Sequence, residues 1–418
     1  MLLLERWREV LARTPNETAV FDTASGRLWT FAELDSAAAG FLRCPDALPI
    51  RPSGHGPGFI LATLQAWQTS RILQPLEVGQ TPAALPELPP GIVHLKTTSA
   101  STGPSRLVAF TAGQLAADAD NIVATMGLRP DWPNLAAISL AHSYGFSNLV
   151  LPLLLHGIPL ILAPSPLPEA VRLAQEPFAS VTLPGVPALW NAWSEADALT
   201  PAVRLGISAG APMPVALEHS IHVKHGLKVH NFYGSSECGG IAYDAADEPR
   251  CEDAFVGRAM HRAELGLSDA GCLEVRGPAV GQGYLPADVE TLSEGVFRTS
   301  DLAEIIDGGV FLRGRAGDVI NVAGRKLHPE TVERALGLHP VVKRCLVLGV
   351  PDRDRSEKVV AIVHPSSIVD AETLRQHLLG CLAGWQVPRE WWITETLQAD
   401  ARGKTSRAIW RERFLARK

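Results

Sequence analysis

The sequence has no long unbroken apolar run, no clustered cysteines and no surplus of basic residues, and each shortage removes a class of protein. The most apolar stretch, Leu149 to Leu162, is interrupted by His156, Gly157 and Pro159. It falls short of the roughly 20 apolar residues that a membrane span needs. At the N-terminus, MLLLERWREVLART puts Glu5, Arg6 and Arg8 where a secretory signal requires an apolar core, so the segment reads as a short amphipathic helix. Cys44, Cys238, Cys251, Cys272, Cys345 and Cys381 form no C-x-x-C pair, which gives no support to a zinc ribbon or a dithiol redox motif. Their wide spacing fits reduced thiols in the cytoplasm. A net charge of −6 argues against a general nucleic-acid or anionic-membrane binder. No repeat or low-complexity tract is present.

What the chain does contain is enough for two to three domains in its 418 residues. Apolar runs and helical patterns alternate from about residue 60 to 235. Strands are expected at Ile92–Leu95, Leu135–Leu140, Pro159–Leu162, Val181–Leu183, Val203–Ile207 and Lys228–Phe232. Helices are expected at Gly113–Met126, Phe146–Leu155, Val186–Trp193 and Val215–His225. This alternation predicts an α/β fold with parallel strands in layered sheets. From about 255 to 315 short strands and glycine-rich turns predict a β-rich subdomain. The last hundred residues read as a small α+β domain. The expected division is 1–315 and 316–418.

Two segments carry chemistry. Residues 97–106, Thr-Thr-Ser-Ala-Ser-Thr-Gly-Pro-Ser-Arg, follow an expected strand. Hydroxyls, small residues and a terminal cation suit a loop that wraps a polyphosphate. The same composition also describes an ordinary Ser/Thr loop. It is not a Walker loop, and Gly403-Lys404-Thr405 lacks the upstream glycine such a loop needs. The second segment is Asn231-Phe232-Tyr233-Gly234-Ser235-Ser236-Glu237. It offers a ring to stack on a purine, hydroxyls for a phosphate and a carboxylate for Mg²⁺.

In order along the chain these pieces resemble the adenylate-forming superfamily of acyl- and aryl-CoA synthetases, adenylation domains and luciferases. Residues 98–106, T-S-A-S-T-G-P-S-R, resemble the signature T-S-G-S-T-G-x-P-K. Ser139 to Gly145 with His142 resemble the second, Tyr233 to Glu237 the third (Y-G-x-T-E) and Thr299-Ser300-Asp301 the fourth (T-G-D). Gly314 to Glu333 resemble the long fifth motif, and Gly403-Lys404-Thr405-Ser406-Arg407 the sixth (G-K-x-x-R). Departures are Ala100, Arg106, Ser300, Asn321 and Lys326, together with a shortened region before the phosphate loop.

The resemblance implies roles. Thr98, Ser99, Ser101, Thr102, Gly103 and Arg106 would hold the outer phosphates of ATP, and Ser236 the α-phosphate. Glu237 would bind Mg²⁺. Tyr233 and Gly234, with Gly210, Ala211 and Pro212, would enclose adenine. Asp301 would take the ribose hydroxyls, supported by Arg315. His142 would line the carboxylate site, and Lys404 would bridge carboxylate and phosphate. The small terminal domain would be mobile about Gly317. The expected reaction is ATP-dependent formation of an acyl-adenylate, with transfer to CoA or to the phosphopantetheine of a separate carrier protein. The stretch around His142 has no carboxylate to hold an ammonium, so the acid is expected to be a simple acyl or aryl acid.

Three other readings stand beside this one. Gly206-Ile207-Ser208-Ala209-Gly210 matches the G-x-S-x-G of a serine hydrolase. The chain could instead be a nucleotide-binding relative without turnover. His219, His222 and His225, spaced by three, could form a metal site or a solvated helix face.

Overall fold

The structure is a computed structural model that describes residues 2–41, 49–82, 84–98, 106–352, 356–397 and 405–417. Its frame is one large sheet. Strands Thr18–Asp22, Leu160–Leu162, Asn134–Ala136, Val181–Gly185, Val203–Ser208 and Val229–Ser235 run parallel, each beside the next. In chain order the connections from Asn134–Ala136 through to Val229–Ser235 each pass through a helix, and the strands are buried and rich in Val, Ile and Leu, as parallel sheets require. The strand expected over Leu135–Leu140 stops at Ala136. Beyond it the backbone turns to meet Gly145, where a Cβ would lie 1.9 Å from the Ser139 carbonyl oxygen.

At the hairpin of Val229–Ser235 and Gly239–Tyr243 the sheet becomes antiparallel. It continues through Phe255–Ala259, Gly309–Arg315, Val296–Ile306, Cys272–Arg276 and Glu264–Leu267. The β-rich segment is therefore an extension of the same sheet, because the hairpin presents a continuous hydrogen-bonding edge. The expected strand at Ile92–Leu95 is real but not parallel. Ile92–Thr97 pairs antiparallel with Leu107–Thr111, which pairs with Gly283–Leu285. The chain connects the first two strands directly through the Ser/Thr loop, leaving no room for a crossover helix.

Helix Leu2–Arg13 buries Leu3, Trp7 and Val10 on one face, as its sequence spacing predicts. Helix Ala112–Met126 starts on a reciprocal Thr111–Gln114 capping box and stops at Gly127, which takes φ +64°. The helical stretch from Ser143 to His156 contains a π-helical segment, Phe146–Val150. A third sheet joins Arg325–Leu327, Ile320–Val322, Ser356–Pro365 and Val342–Asp352, with Glu390–Ile393 also on Ser356–Pro365. Helices Pro329–Gly337, Ala371–Leu379 and Arg407–Ala416 accompany it. Trp392 packs there against Trp410 and Phe414. Among the described residues no helix is long and apolar enough to cross a membrane.

A buried charge cluster fixes the helix Val215–His225 behind the hairpin. Lys228 Nζ donates to Glu218 Oε1 and to Asp244 Oδ2, the latter at 2.7 Å. Arg250 Nε donates to Glu218 Oε2 at 2.7 Å, and its Nη2 to the Met213 carbonyl at 2.6 Å. Two cations and two carboxylates balance here, and all four residues are buried. Glu218→Ala leaves both cations short of their shared acceptor and should cost about 3–5 kcal/mol of stability. Urea unfolding measures this; a loss below about 1 kcal/mol would show that the cluster carries little of the packing.

Candidate active site

The third motif occupies the tip of the hairpin where the sheet changes sense. Gly239, at φ +68°, lets the chain reverse, and a Cβ on Gly234 would lie 2.7 Å from the Gly239 carbonyl oxygen. Ser236 and Glu237 are thus held out at the end of the parallel strands, where open α/β sheets place their ligands. Glu237 is clamped twice by the segment after residue 280. Gly281 N donates to its carbonyl at 2.8 Å, and Tyr284 Oη donates to Oε1 at 2.9 Å. Burial and the neighbouring Glu237 carboxylate push the Tyr284 hydroxyl well above the usual phenol range, which keeps it a donor. The Arg106 guanidinium lies 3.8 Å from the Tyr284 ring centroid and donates to Asp288 Oδ2 at 3.0 Å. Cations over ring faces in this geometry are attractive.

On the other side of the hairpin Tyr233 Oη donates to Asp301 Oδ2 at 2.5 Å. Arg315 Nε donates to Asp301 Oδ1 at 3.0 Å. The register of Val296–Ile306 on Gly309–Arg315 puts Asp301 directly opposite Arg315, which is why the fourth and fifth motifs meet. Burial, with Asp301 beside it, pushes the Tyr233 hydroxyl well above the usual phenol range. Each Asp301 oxygen is engaged once and keeps further accepting capacity, since an ionised carboxylate has about four lone-pair sites.

Thr98 and Arg106 close the base of the Ser/Thr loop. Thr98 N donates to the Arg106 carbonyl at 2.8 Å, and Arg106 N donates to Thr98 Oγ1 at 3.1 Å. Ser99, Ser101, Thr102 and Gly103 lie outside the described residues, as does Lys404. His142 Nδ1 accepts from Tyr144 N at 3.3 Å at the start of the helical stretch. The segment from Gly210 to Pro212 leaves strand Val203–Ser208 through a turn in which Gly210 takes φ +84°.

Two other sequence readings are not supported. Ser208 is fully buried, its hydroxyl has no hydrogen-bond partner among the described residues, and the next helix begins only at Val215. A nucleophile elbow needs an exposed serine with a base beside it. Two of the three helix histidines are spent separately, His219 on the Arg250 carbonyl at 2.8 Å and His225 on Ser194 Oγ at 3.1 Å, while His222 Nδ1 has no hydrogen-bond partner among the described residues. Among the described residues no group of three His, Cys, Asp or Glu side chains is placed to hold a metal ion.

The fifth and sixth motifs meet around Arg407. Its Nη1 donates to Asp318 at 2.8 Å, its Nη2 to Glu333 at 2.7 Å, and its Nε to the Val347 carbonyl at 3.1 Å. Nη2 also lies 2.9 Å from Glu330. Burial opposes the charge, but these carboxylates hold Arg407 above its usual range. Gly314, at φ +122°, passes so close that a Cβ would lie 2.5 Å from Glu330 Oε2. At Gly317 a Cβ would meet nothing within 4 Å and φ is not positive, so this conformation does not itself require glycine there.

The family model described as AMP-binding enzyme matches residues 62–285, and the model of its C-terminal domain matches 331–404. The chain belongs to the AMP-binding enzyme family. A feruloyl-CoA synthase of Amycolatopsis sp is 30% identical over 382 residues, covering 84% of this chain and 77% of that protein. The 2,3-dihydroxybenzoate-AMP ligase of Bacillus subtilis is 28% identical over 368 residues, covering 81% and 67%. Among solved structures, ATP-bound MatB from Rhodopseudomonas palustris superposes with a TM-score of 0.86 at 20% identity, covering 98% of this chain and 99% of that one. The likeness confirms the α/β fold with a large sheet and a small C-terminal unit.

For an AMP-binding enzyme the carboxylate of Glu237 fits Mg²⁺. One oxygen is fixed by Tyr284, and Mg²⁺ is commonly held by one or two carboxylates together with substrate phosphates. Tyr284, Asp288 and Gly281 were not singled out from the sequence. The available signal was an aromatic residue set among glycines in Gly281-Gln282-Gly283-Tyr284. Tyr284→Phe removes the hydroxyl that fixes Glu237, a hydrogen bond to a charged group worth about 1.5–3 kcal/mol. Pyrophosphate release should slow roughly tenfold or more, with a raised Mg²⁺ requirement and an unchanged melting temperature. Equal Mg²⁺ titrations of parent and variant would remove Tyr284 from the site.

Proposed function

We propose that this chain is an acid–thiol ligase that couples ATP cleavage to the activation of an aromatic carboxylic acid. In the first step a carboxylate oxygen attacks the α-phosphorus of ATP, the bond to the β-phosphate oxygen breaks, and acyl-AMP and pyrophosphate form. In the second a thiolate attacks the acyl carbon and AMP leaves. The observation that carries this reading is the hairpin tip. One turn presents Tyr233, tied to the Asp301–Arg315 pair, and Glu237, tied to Tyr284, at the ends of the parallel strands.

The first step gathers negative charge, since an anionic nucleophile approaches an anionic phosphate. Mg²⁺ at Glu237 would offset part of it by Lewis-acid chemistry. Arg106, at the base of the Ser/Thr loop, and Ser236 serve the phosphates, while Asp301 serves the ribose. With Nδ1 of His142 accepting from the backbone, its ring proton sits on Nε2, and the side chain lines the carboxylate site. Thr98, with Ser99, Ser101, Thr102 and Gly103, completes the phosphate cradle, and Gly210, Ala211, Pro212 and Gly234 flank the base. Lys404 supplies a fixed cation where charge grows in the transition state.

The terminal unit, residues 316–418, would pivot at Gly317. A glycine that one conformation does not need supports a second conformation that does. Feruloyl-, indoleacetate- and 2,3-dihydroxybenzoate-specific enzymes are among the relatives, which supports an aromatic acid. Two of those three names carry CoA, which supports CoA as the acceptor, with a carrier-protein phosphopantetheine as the other candidate thiol. Unpaired Cys238, Cys251, Cys272, Cys345 and Cys381 support a reducing compartment such as the cytoplasm.

Lys404→Ala separates the half-reactions. Adenylation should fall roughly a hundredfold or more, while thioester formation from a supplied acyl-adenylate should persist. A thermal melt comes first, to show that the variant is folded. If a folded variant adenylates at the parent rate, the role of Lys404 is wrong.

A further inference from the structure

A set of buried polar side chains lies beside the hairpin, outside the residues assigned to ATP. His94 and Lys96, two apart on strand Ile92–Thr97, share a face. Lys96 Nζ donates to Ser147 Oγ at 3.2 Å, lies 3.6 Å from Asp118 Oδ2 and sits 4.6 Å from the Phe110 ring centroid. Ser147 Oγ donates to Asp118 Oδ2 at 2.6 Å, and Gly240 N donates to Asp118 Oδ1 at 3.4 Å. Lys96, Asp118 and Ser147 are each less than 5% exposed. The His94 ring lies 4.5 Å from that of Phe146 and is 1% exposed. Neither of its nitrogens has a hydrogen-bond partner among the described residues.

Folding does not account for that histidine. A buried polar atom without a partner is costly. Phenylalanine would fill the space between Phe110 and Phe146 without this cost. Burial, and then the Lys96 charge, hold His94 well below the usual histidine range. It is therefore neutral near pH 7, with one nitrogen able to donate and the other to accept.

Its position relates it to the acid. Phe146 and Ser147 follow His142 on one helical stretch, and five residues of helix advance roughly 7 Å. Gly239 and Gly240 open the strand that follows Glu237, and a Cβ on Gly239 would strike the Asp118 carboxylate. Phe146 and Ser147, which touch His94 and Lys96, thus lie about one helical turn beyond His142, and Asp118 binds the Gly240 backbone that follows Glu237.

We propose that His94 and Lys96 form the far end of the acid pocket and recognise a neutral hydroxyl on the tail of the acid. The Lys96–Asp118 pair is already balanced, so a second carboxylate or an ammonium would enter without a counter-charge. A hydroxyl adds no charge, accepts from Lys96 or His94 and donates to the other His94 nitrogen. The proposal rests on the ligase reading with His142 at the carboxylate.

The test is ATP–pyrophosphate exchange on matched acids: benzoate against 4-hydroxybenzoate and cinnamate against 4-hydroxycinnamate, with terephthalate as the dianionic control. The parent should favour the hydroxylated member of at least one pair by roughly tenfold or more in kcat/KM, because a site built to bond a hydroxyl rejects the analogue that lacks it. Terephthalate should be a poor substrate. His94→Phe should abolish the preference, keep the unsubstituted acid within about threefold, and melt no lower than the parent. A merely structural histidine would give the reverse: lost stability with selectivity unchanged. Equal use of both members of each pair by the parent, or a preference that survives in a folded His94→Phe, overturns the proposal and leaves the ligase reading intact. Exchange with no acid at all overturns both. Should the variant not fold, calorimetry on the parent decides with the two acyl-sulfamoyl adenylates: tighter binding of the hydroxylated one supports the site, and equal affinity overturns it.

Discussion

Where strand Val229–Ser235 turns back into Gly239–Tyr243, the large sheet changes from parallel to antiparallel, and the site depends on that turn. The turn frees the ends of the parallel strands, so Ser236 and Glu237 project without a following helix over them. It also creates the edge on which the antiparallel strands assemble, and those strands bring Asp301 and Arg315 beside Tyr233. The glycines follow from the same constraint. Gly234 and Gly239 cannot carry a side chain without meeting backbone or Asp118. Behind the turn, Glu218, Lys228, Asp244 and Arg250 lock helix Val215–His225 to the hairpin.

The electrostatics form two separate systems. Around the hairpin, the carboxylates Glu237 and Asp301 are each held by a tyrosine hydroxyl, and Asp301 also by the Arg315 guanidinium. Around Arg407 the logic is reversed, since one guanidinium is shared among Asp318, Glu330 and Glu333. Arg407 lies three residues beyond Lys404 and its partner Asp318 one beyond Gly317. The cation cluster therefore ties the segment after the proposed catalytic lysine to the segment at the proposed pivot.

Much of this was legible in the sequence because the motifs are made of residues with one physical job. Gly314 is required by a positive φ under Glu330, Asp301 and Arg315 by a strand register, and Arg407 by three carboxylates. Helix Ala112–Met126 was readable, over Gly113–Met126, from its helical pattern. What the sequence hid was pairing. Ile92–Leu95 has the composition of a parallel strand, and only the closure between Thr98 and Arg106 makes it antiparallel. Tyr284 was passed over because its partner Glu237 lies 47 residues away. His94 and Lys96 were hidden for the same reason: the Phe146–Ser147 turn and Asp118 that surround them belong to other elements.

The most direct measurement follows the fate of the nucleotide. The protein, ATP, Mg²⁺ and a panel of aromatic acids are incubated without thiol and examined by mass spectrometry, then CoA is added. The account predicts acid-dependent pyrophosphate with an equal amount of acyl-AMP, discharged on addition of CoA to acyl-CoA and AMP. Acid-dependent production of ADP and phosphate, or nucleotide cleavage indifferent to every acid, would contradict it.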